Sequence, residues 1–208
     1  MAPFRALLLD LGEVLVLPQP PDLVRRMAEV AAAPLAAFTA AYWAHRPAYD
    51  FHGSHRRFWG QVLDECRSSL GGAAREAATG ELLELDIRSW TVYREEVWKI
   101  AADFRARGGK LAVLSNGVTE ILDRVRAQRR LDRTFDAVVV SCEVGCLKPD
   151  PAIFRIALER LGVEAEDSLF VDDRAVNVAG AEAIGMHALH FVGDASVPAL
   201  RARLGQAG

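Results

Sequence analysis

The 208-residue sequence contains no apolar run long enough to cross a bilayer, which excludes a helical membrane span. It has no excess of basic charge: 25 Lys and Arg stand against 28 Asp and Glu, for a net charge of −3. A protein that binds nucleic acid by neutralising phosphates needs the opposite balance. Arg124, Arg126, Arg129, Arg130 and Arg133 cluster, but apolar residues interrupt them, and they read as a solvated helix face. Cysteine is scarce. Cys66, Cys142 and Cys146 are an odd, scattered set and make no disulfide framework. Cys142 and Cys146 lack a second pair or matching histidines for a metal. Buried free thiols and a reducing, cytoplasmic compartment are expected. The N-terminus lacks an apolar core of signal-peptide length, because Asp10 interrupts it. No repeat or low-complexity segment stands out.

What is present is the composition of a soluble protein with a substantial core, 51% hydrophobic and 25% charged. Short apolar runs at 6–9, 111–114, 137–140, 168–171 and 188–192 read as buried strands. Segments 93–107, 119–128, 153–161 and 177–184 carry helical periodicity. Gly108-Gly109, Gly162 and Gly185 stand where helices stop. Alternating strands and helices predict a Rossmann-like α/β fold, a parallel sheet with helices on both faces.

One stretch breaks the alternation. Residues 18–89 hold helical patterns, many alanines and the aromatic group Phe38, Tyr42, Trp43, Tyr49, Phe51, Phe58 and Trp59, with no strand signal. Three prolines between positions 18 and 21 make a hinge at its start. The expected organisation is an α/β core of residues 1–17 and 90–208, with an inserted all-helical cap at 18–89. The cap aromatics are expected to be bundle core.

In parallel sheets ligands bind beyond the carboxyl ends of the strands. Four strand tips carry Asp10-Leu11-Gly12-Glu13, Ser115-Asn116-Gly117, a loop containing Lys148, and Asp172-Asp173 with Asn177 one helical turn on. Taken singly, each has an ordinary reading as a turn, a cap or a surface loop. Together they make a phosphoryl-transfer set. Mg²⁺ prefers a few carboxylates and keeps water and phosphate in its other positions. A carboxylate nucleophile divides hydrolysis into two steps. A lysine, a hydroxyl and backbone N–H groups stabilise the transferring charge. Asn177 can orient a metal-bound water.

The segments LLLDLGEVL, LAVLSNG, CLKPDPAIF and FVDDRAVNVAGAEAIGM, in this order and spacing, resemble the haloacid dehalogenase-like hydrolase superfamily, in its branch of phosphatases with a small helical cap. The resemblance implies that Asp10 is the nucleophile and a metal ligand. It implies that Ser115 and Lys148 bind the phosphoryl group with Asn116 beside them. Asp172, Asp173 and the carbonyl of Gly12 would hold Mg²⁺, and the cap would close over the site. The implied substrate is a small phosphorylated metabolite, such as a sugar phosphate, with no nucleic-acid or membrane partner. Oligomeric state is left open. The superfamily's dehalogenases attack carbon, need no metal and lack the acidic pair. The Ser115-Asn116-Gly117 triplet is reminiscent of them, but Asp172-Asp173 favours the phosphatases.

Gly12 departs from the pattern. The superfamily's phosphatases read Asp-x-Asp, and their second Asp protonates the leaving group and then activates water. That step is worth about 10²–10⁴-fold. Glu13 is one replacement, although it reads better as a solvated or turn-capping residue. A cap residue, His45, Tyr49 or His52, is another. The third possibility is a substrate with a better leaving group, such as a sugar 1-phosphate or an acyl phosphate. A 2-haloacid dehalogenase and a binding or regulatory homologue without catalysis are the alternative readings.

Overall fold

A computed structural model describes residues 4–206, apart from Gly53 and the side chain of His52. Strand β1 (Ala6–Leu9) runs into a tight turn over Leu11–Leu15. Four helices follow: α1 (Pro21–Val30), α2 (Leu35–His52), α3 (His55–Glu65) and α4 (Gly72–Ser89). Strands and helices then alternate: α5 (Glu95–Ala106), β2 (Lys110–Ser115), α6 (Thr119–Arg129), the single turn α7 (Leu131–Thr134) and β3 (Ala137–Val140). The single turn α8 (Ser141–Val144), α9 (Pro151–Leu161), β4 (Ser168–Asp172), α10 (Ala175–Glu182), β5 (His187–His190) and α11 (Val197–Arg203) complete the chain.

The five strands form one parallel sheet in the order β3-β2-β1-β4-β5. In β1, Leu7 pairs in register with Leu111 and with Leu169, so the first strand is the central one. Side chains alternate between faces, and both faces are covered. Leu7, Leu9, Val113 and Val171 pack in one cluster with Val97, Ile100 and Phe104 of α5. Leu8, Leu114 and Phe170 pack in the other with Ile153, Phe154 and Ala157 of α9. The expected α/β architecture is therefore present, with element ends shifted by a few residues. The fifth strand spans His187–His190, and the Phe191 N–H closes its ladder on the Asp172 carbonyl at 2.8 Å.

Local chemistry fixes the elements that carry the site. Helix α9 starts where Asp150 accepts the Ala152 N–H at 2.8 Å with Pro151 in the first turn, and it stops at Gly162 in the left-handed region. The helical insert has its own aromatic core of Phe38, Tyr42, Tyr49, Phe58 and Trp59, all buried. Trp43 departs from the core expectation: it is 48% exposed and faces the sheet edge. Of the cysteines, all free, only Cys66 is buried; Cys142 and Cys146 are half-buried. Arg124, Arg126 and Arg129 pair with Glu84, Glu143 and Glu95, so three of the five clustered arginines belong to surface ion pairs. Among the described residues no helix is long and apolar enough to cross a membrane.

Candidate active site

The tip of β1 is the centre of the sheet's carboxyl edge, and Asp10 sits there. Its backbone is held by the Val171 carbonyl at 2.9 Å, and its Oδ1 accepts the Leu11 N–H at 2.7 Å. The strand is thus a rigid mount for the carboxylate. Lys148 reaches in from the loop before α9. Its Nζ lies 3.0 Å from Asp10 Oδ1, 2.6 Å from Asp172 Oδ2 and 2.8 Å from the Leu114 carbonyl, so all three ammonium hydrogens have partners. Burial alone would lower the Lys148 ammonium, but Asp10 and Asp172 outweigh it and hold its pKa above the usual value.

Asp172 is fully buried at the tip of β4. Its oxygens also accept the Arg174 N–H at 2.8 Å and the Asn177 amide at 2.9 and 3.1 Å. Asp173 is half-buried and lines the adjoining cavity. Asp10, Asp172 and Asp173 place one oxygen each within 4.8 Å of one another. Burial, followed by the neighbouring Asp172 and Asp173, pushes Asp10 up to about 7 against the pull of Lys148. Burial, Asp172 and Glu13 push Asp173 up to about 6. Three carboxylates share one ammonium, which is an electrostatic environment suited to a divalent cation. Hard oxygen donors suit Mg²⁺. Among the described residues the buried Oδ1 of Asn177 has no hydrogen-bond partner, which leaves an acceptor beside the carboxylates for a metal-bound water. The donor set therefore fits the metal.

Ser115 is buried at the tip of β2; its hydroxyl donates to the Asn116 carbonyl at 3.4 Å, and its nearness to Asp10 favours that carboxylate's charged form. Asn116 lines the cavity, but its side chain is a clamp. Nδ2 donates to the Lys148 carbonyl at 3.0 Å, and Oδ1 accepts the Lys148 N–H at 2.8 Å. The structure thus uses this amide to position the lysine loop. Gly12 has ordinary extended dihedrals (φ −62°, ψ 131°), and the left-handed residue is Glu13 at φ 52°. A Cβ at position 12 would meet only Trp90, at 3.7 Å. No conformational need explains the glycine. Glu13 also lines the cavity and sits close enough to Asp173 to raise its pKa. Its own carbonyl accepts from Arg94 at 3.2 Å, which steadies the strained turn.

Two of the three cap residues proposed from sequence lie elsewhere. His45 pairs with Glu65 at 2.6 Å, and Tyr49 packs on Phe58 and donates to Glu120 at 3.4 Å; neither lines the cavity. The His52 side chain is outside the described residues. The cap instead contributes Trp43, Arg46 and Asp50, and Trp90 stands at its junction with the core. Sequence reasoning missed these four. A usable signal was the i,i+4 spacing of Arg46 and Asp50, which puts opposite charges on one helix face inside an aromatic segment. The cavity they close encloses about 130 Å³, below the ~300–1,000 Å³ of drug-sized sites. It suits a small molecule.

Comparison with known proteins agrees with this geometry. The family profile of the haloacid dehalogenase-like hydrolases matches residues 4–185. A phosphoserine phosphatase of Thermus thermophilus is 36% identical over 133 residues, 62% of this chain and 52% of that protein. The (S)-2-haloacid dehalogenase 4A of Burkholderia cepacia is 30% identical over 139 residues, 64% of this chain and 58% of that one. The aligned regions thus span between half and two thirds of these relatives. A solved HAD family enzyme of Bacteroides thetaiotaomicron, in complex with magnesium and inorganic phosphate, superposes with a TM-score of 0.70 at 16% identity, covering 92% of this chain and 96% of that one. It shares the fold. With the profile spanning most of the chain and the strand tips carrying the expected residues, the protein belongs to the haloacid dehalogenase-like hydrolases.

Proposed function

We propose that the protein is a Mg²⁺-dependent phosphatase that hydrolyses a small phosphorylated metabolite, a sugar phosphate being one candidate, through a phosphoryl group carried on Asp10. The convergence of Asp10, Asp172 and Asp173 within 4.8 Å carries this reading. A dehalogenase attacks carbon without a metal and has no use for the third carboxylate. The family includes both chemistries among this chain's relatives, so the acidic pair is the discriminating feature.

Asp10, Asp172, Asp173 and the Gly12 carbonyl are the groups that would hold the ion. When bound, Mg²⁺ draws charge from the phosphoryl oxygens as a Lewis acid. The chain's own residues do the rest. Asp10 Oδ attacks phosphorus from a fixed strand tip, so little orientational entropy is lost in the step. Lys148 stabilises the charge spread over the transferring group. Ser115 offers a hydroxyl at the same edge. Asn116 holds the lysine loop in register. The helical insert covers the edge and limits water.

The test is phosphate release from a panel of phosphorylated metabolites, with Mg²⁺ and with EDTA, and with Asp10→Asn as control. Release that requires both Mg²⁺ and Asp10 is expected. Halide release from 2-haloacids in EDTA, with no phosphate release, would overturn the reading.

A further inference from the structure

We infer that Asp50, on the helical insert, is the general acid and base that Gly12 does not supply. This inference rests on the phosphatase reading above. Asp50 lies near the end of α2 and lines the cavity that also holds Asp10, Ser115 and Lys148. The Ser141 hydroxyl holds its backbone in place: it donates to the Asp50 carbonyl at 2.7 Å and accepts the Gly117 N–H at 3.0 Å. The end of α2 is therefore fastened to the strand tip that carries Ser115. A carboxyl there stands on the cap side of the cavity, where a leaving group must lie once its phosphoryl group faces Asp10.

Charge balance in the insert supports the assignment. Arg46 lies between two carboxylates: its Nε is 2.7 Å from Asp50 Oδ1 and its Nη1 is 3.5 Å from Asp86 Oδ2. Arg46 and Asp86 are buried, with side chains 8% and 0% exposed, and Asp50 is partly exposed at 15%. One arginine cannot neutralise both acids. Asp86 Oδ1 also accepts from the Tyr42 hydroxyl at 2.7 Å and from Gln19 Nε2 at 3.4 Å, which stabilise its anion. Burial raises both carboxyls, so the pair that shares this arginine can hold a proton, and Asp50 is the member on the cavity. Burial pushes its carboxyl up, while Arg46, Arg174 and Lys148 pull it down. Cys142 of α8 and Asp86 are further titratable neighbours, and the Asp50 charge raises the pKa of both. Arg46 is a positioning residue in this scheme: it fixes one Asp50 oxygen.

In the first step an Asp10 oxygen bonds to phosphorus as the bond from phosphorus to the leaving oxygen breaks, and the Asp50 proton passes to that oxygen. In the second, a water oxygen bonds to phosphorus, its proton returns to Asp50, and the Asp10–phosphorus bond breaks. Glu13 is the competing carboxylate, but it stands beside Asp173, on the metal side of the cavity.

The test compares wild type, Asp50→Asn and Glu13→Gln in rapid-quench assays with Mg²⁺. p-Nitrophenyl phosphate needs no acid for its leaving group, and glycerol phosphate does. Asp50→Asn is expected to release about one nitrophenolate per enzyme in a burst, then turn over ~10²–10⁴-fold more slowly, with the phosphorylated chain visible by intact mass. On glycerol phosphate it should show no burst. Gly12→Asp in the Asp50→Asn background should restore turnover, since position 12 has room for the side chain. Wild-type turnover in Asp50→Asn would overturn the inference. So would a folded Asp50→Asn without the burst, or the burst appearing in Glu13→Gln instead. If Asp50→Asn does not fold, Asp50→Glu keeps the charge on Arg46 but displaces the carboxyl. It should then slow the second step at least ~10-fold, because a small misplacement of a reacting group is costly, and undiminished turnover overturns the assignment. A wild type inert toward both phosphates defeats the phosphatase reading itself, and the inference with it.

Discussion

Lys148 Nζ and Asp172 Oδ2 lie 2.6 Å apart, and neither side chain is exposed to solvent. Removing one member of such a pair leaves the other charge buried and unmatched. Lys148→Met is expected to lower stability by about 3–5 kcal/mol and to abolish phosphate release. Urea unfolding and the Mg²⁺-dependent assay measure the two effects. A stable but inactive variant would mean that the pair contributes little to the fold and that the lysine is needed for the reaction alone.

The metal-free protein should be destabilised by rising pH. Asp10 is held at about 7 and Asp173 at about 6, against 3.8 for a free carboxyl. Because both pKa values are higher in the folded state, the folded chain binds more protons than the unfolded chain between pH 4 and 7. Their contribution to stability is complete below pH 4 and is lost as pH rises through 6 and 7. Mg²⁺ neutralises the same carboxylates and should raise Tm most at the upper end. Thermal melts at pH 5 and pH 7.5, in EDTA and in Mg²⁺, test this. A Mg²⁺ shift equal at both pH values would count against the cluster as the binding site.

Much of this architecture was legible from residue order alone. β1 to β4 are short apolar runs between clear stop signals; Asp10, Ser115 and Asp172 stand at the tips of three of them, and Lys148 lies in the loop after β3. Hydrophobic period and turn chemistry are local properties, so they can be read locally. The cap's share of the site was not legible. Trp43 and Tyr42 are adjacent aromatics on one helix; one lines the cavity and the other is buried at 2% exposure, and only tertiary packing decides which. Gly12 shows itself in sequence only as a missing carboxylate, and the positive φ of the turn falls on Glu13, which nothing in the sequence marks. The Asn116 amide reads as a ligand group, but it clamps Lys148.

The insert is fastened to the core near the site by Glu120 of α6. His55 Nδ1 lies 2.8 Å from its Oε1, and the Tyr49 hydroxyl lies 3.4 Å from its Oε2. The partially exposed His55 pair is weak in energy, at most about 1 kcal/mol, so global stability should hardly move in Glu120→Ala. Local opening should increase. Amide exchange over α2 and α3 is expected to speed up while exchange over the sheet stays unchanged. Equal acceleration in both regions would mean that the contact supports the whole fold rather than closure of the insert.

Two glycine-to-alanine substitutions should have opposite effects. Gly80 lies inside α4 with nothing within 4 Å of the position its Cβ would take. Gly80→Ala removes backbone freedom from the unfolded chain and should stabilise by up to ~1 kcal/mol. Gly180 lies inside α10, where a Cβ would come within 2.8 Å of both Cβ and the carbonyl oxygen of Pro149. Pro149 follows Lys148 directly, and backbone cannot yield as a flexible side chain does. Gly180→Ala should therefore cost about 1–3 kcal/mol through overpacking. It should also shift the lysine away from Asp10 and Asp172, because the clamp from Asn116 holds the Lys148 backbone at only one point in the loop. The expected result is a fall in kcat for Mg²⁺-dependent phosphate release in Gly180→Ala and none in Gly80→Ala. A destabilised Gly180→Ala with wild-type kcat would mean that the loop absorbs the methyl without moving its lysine.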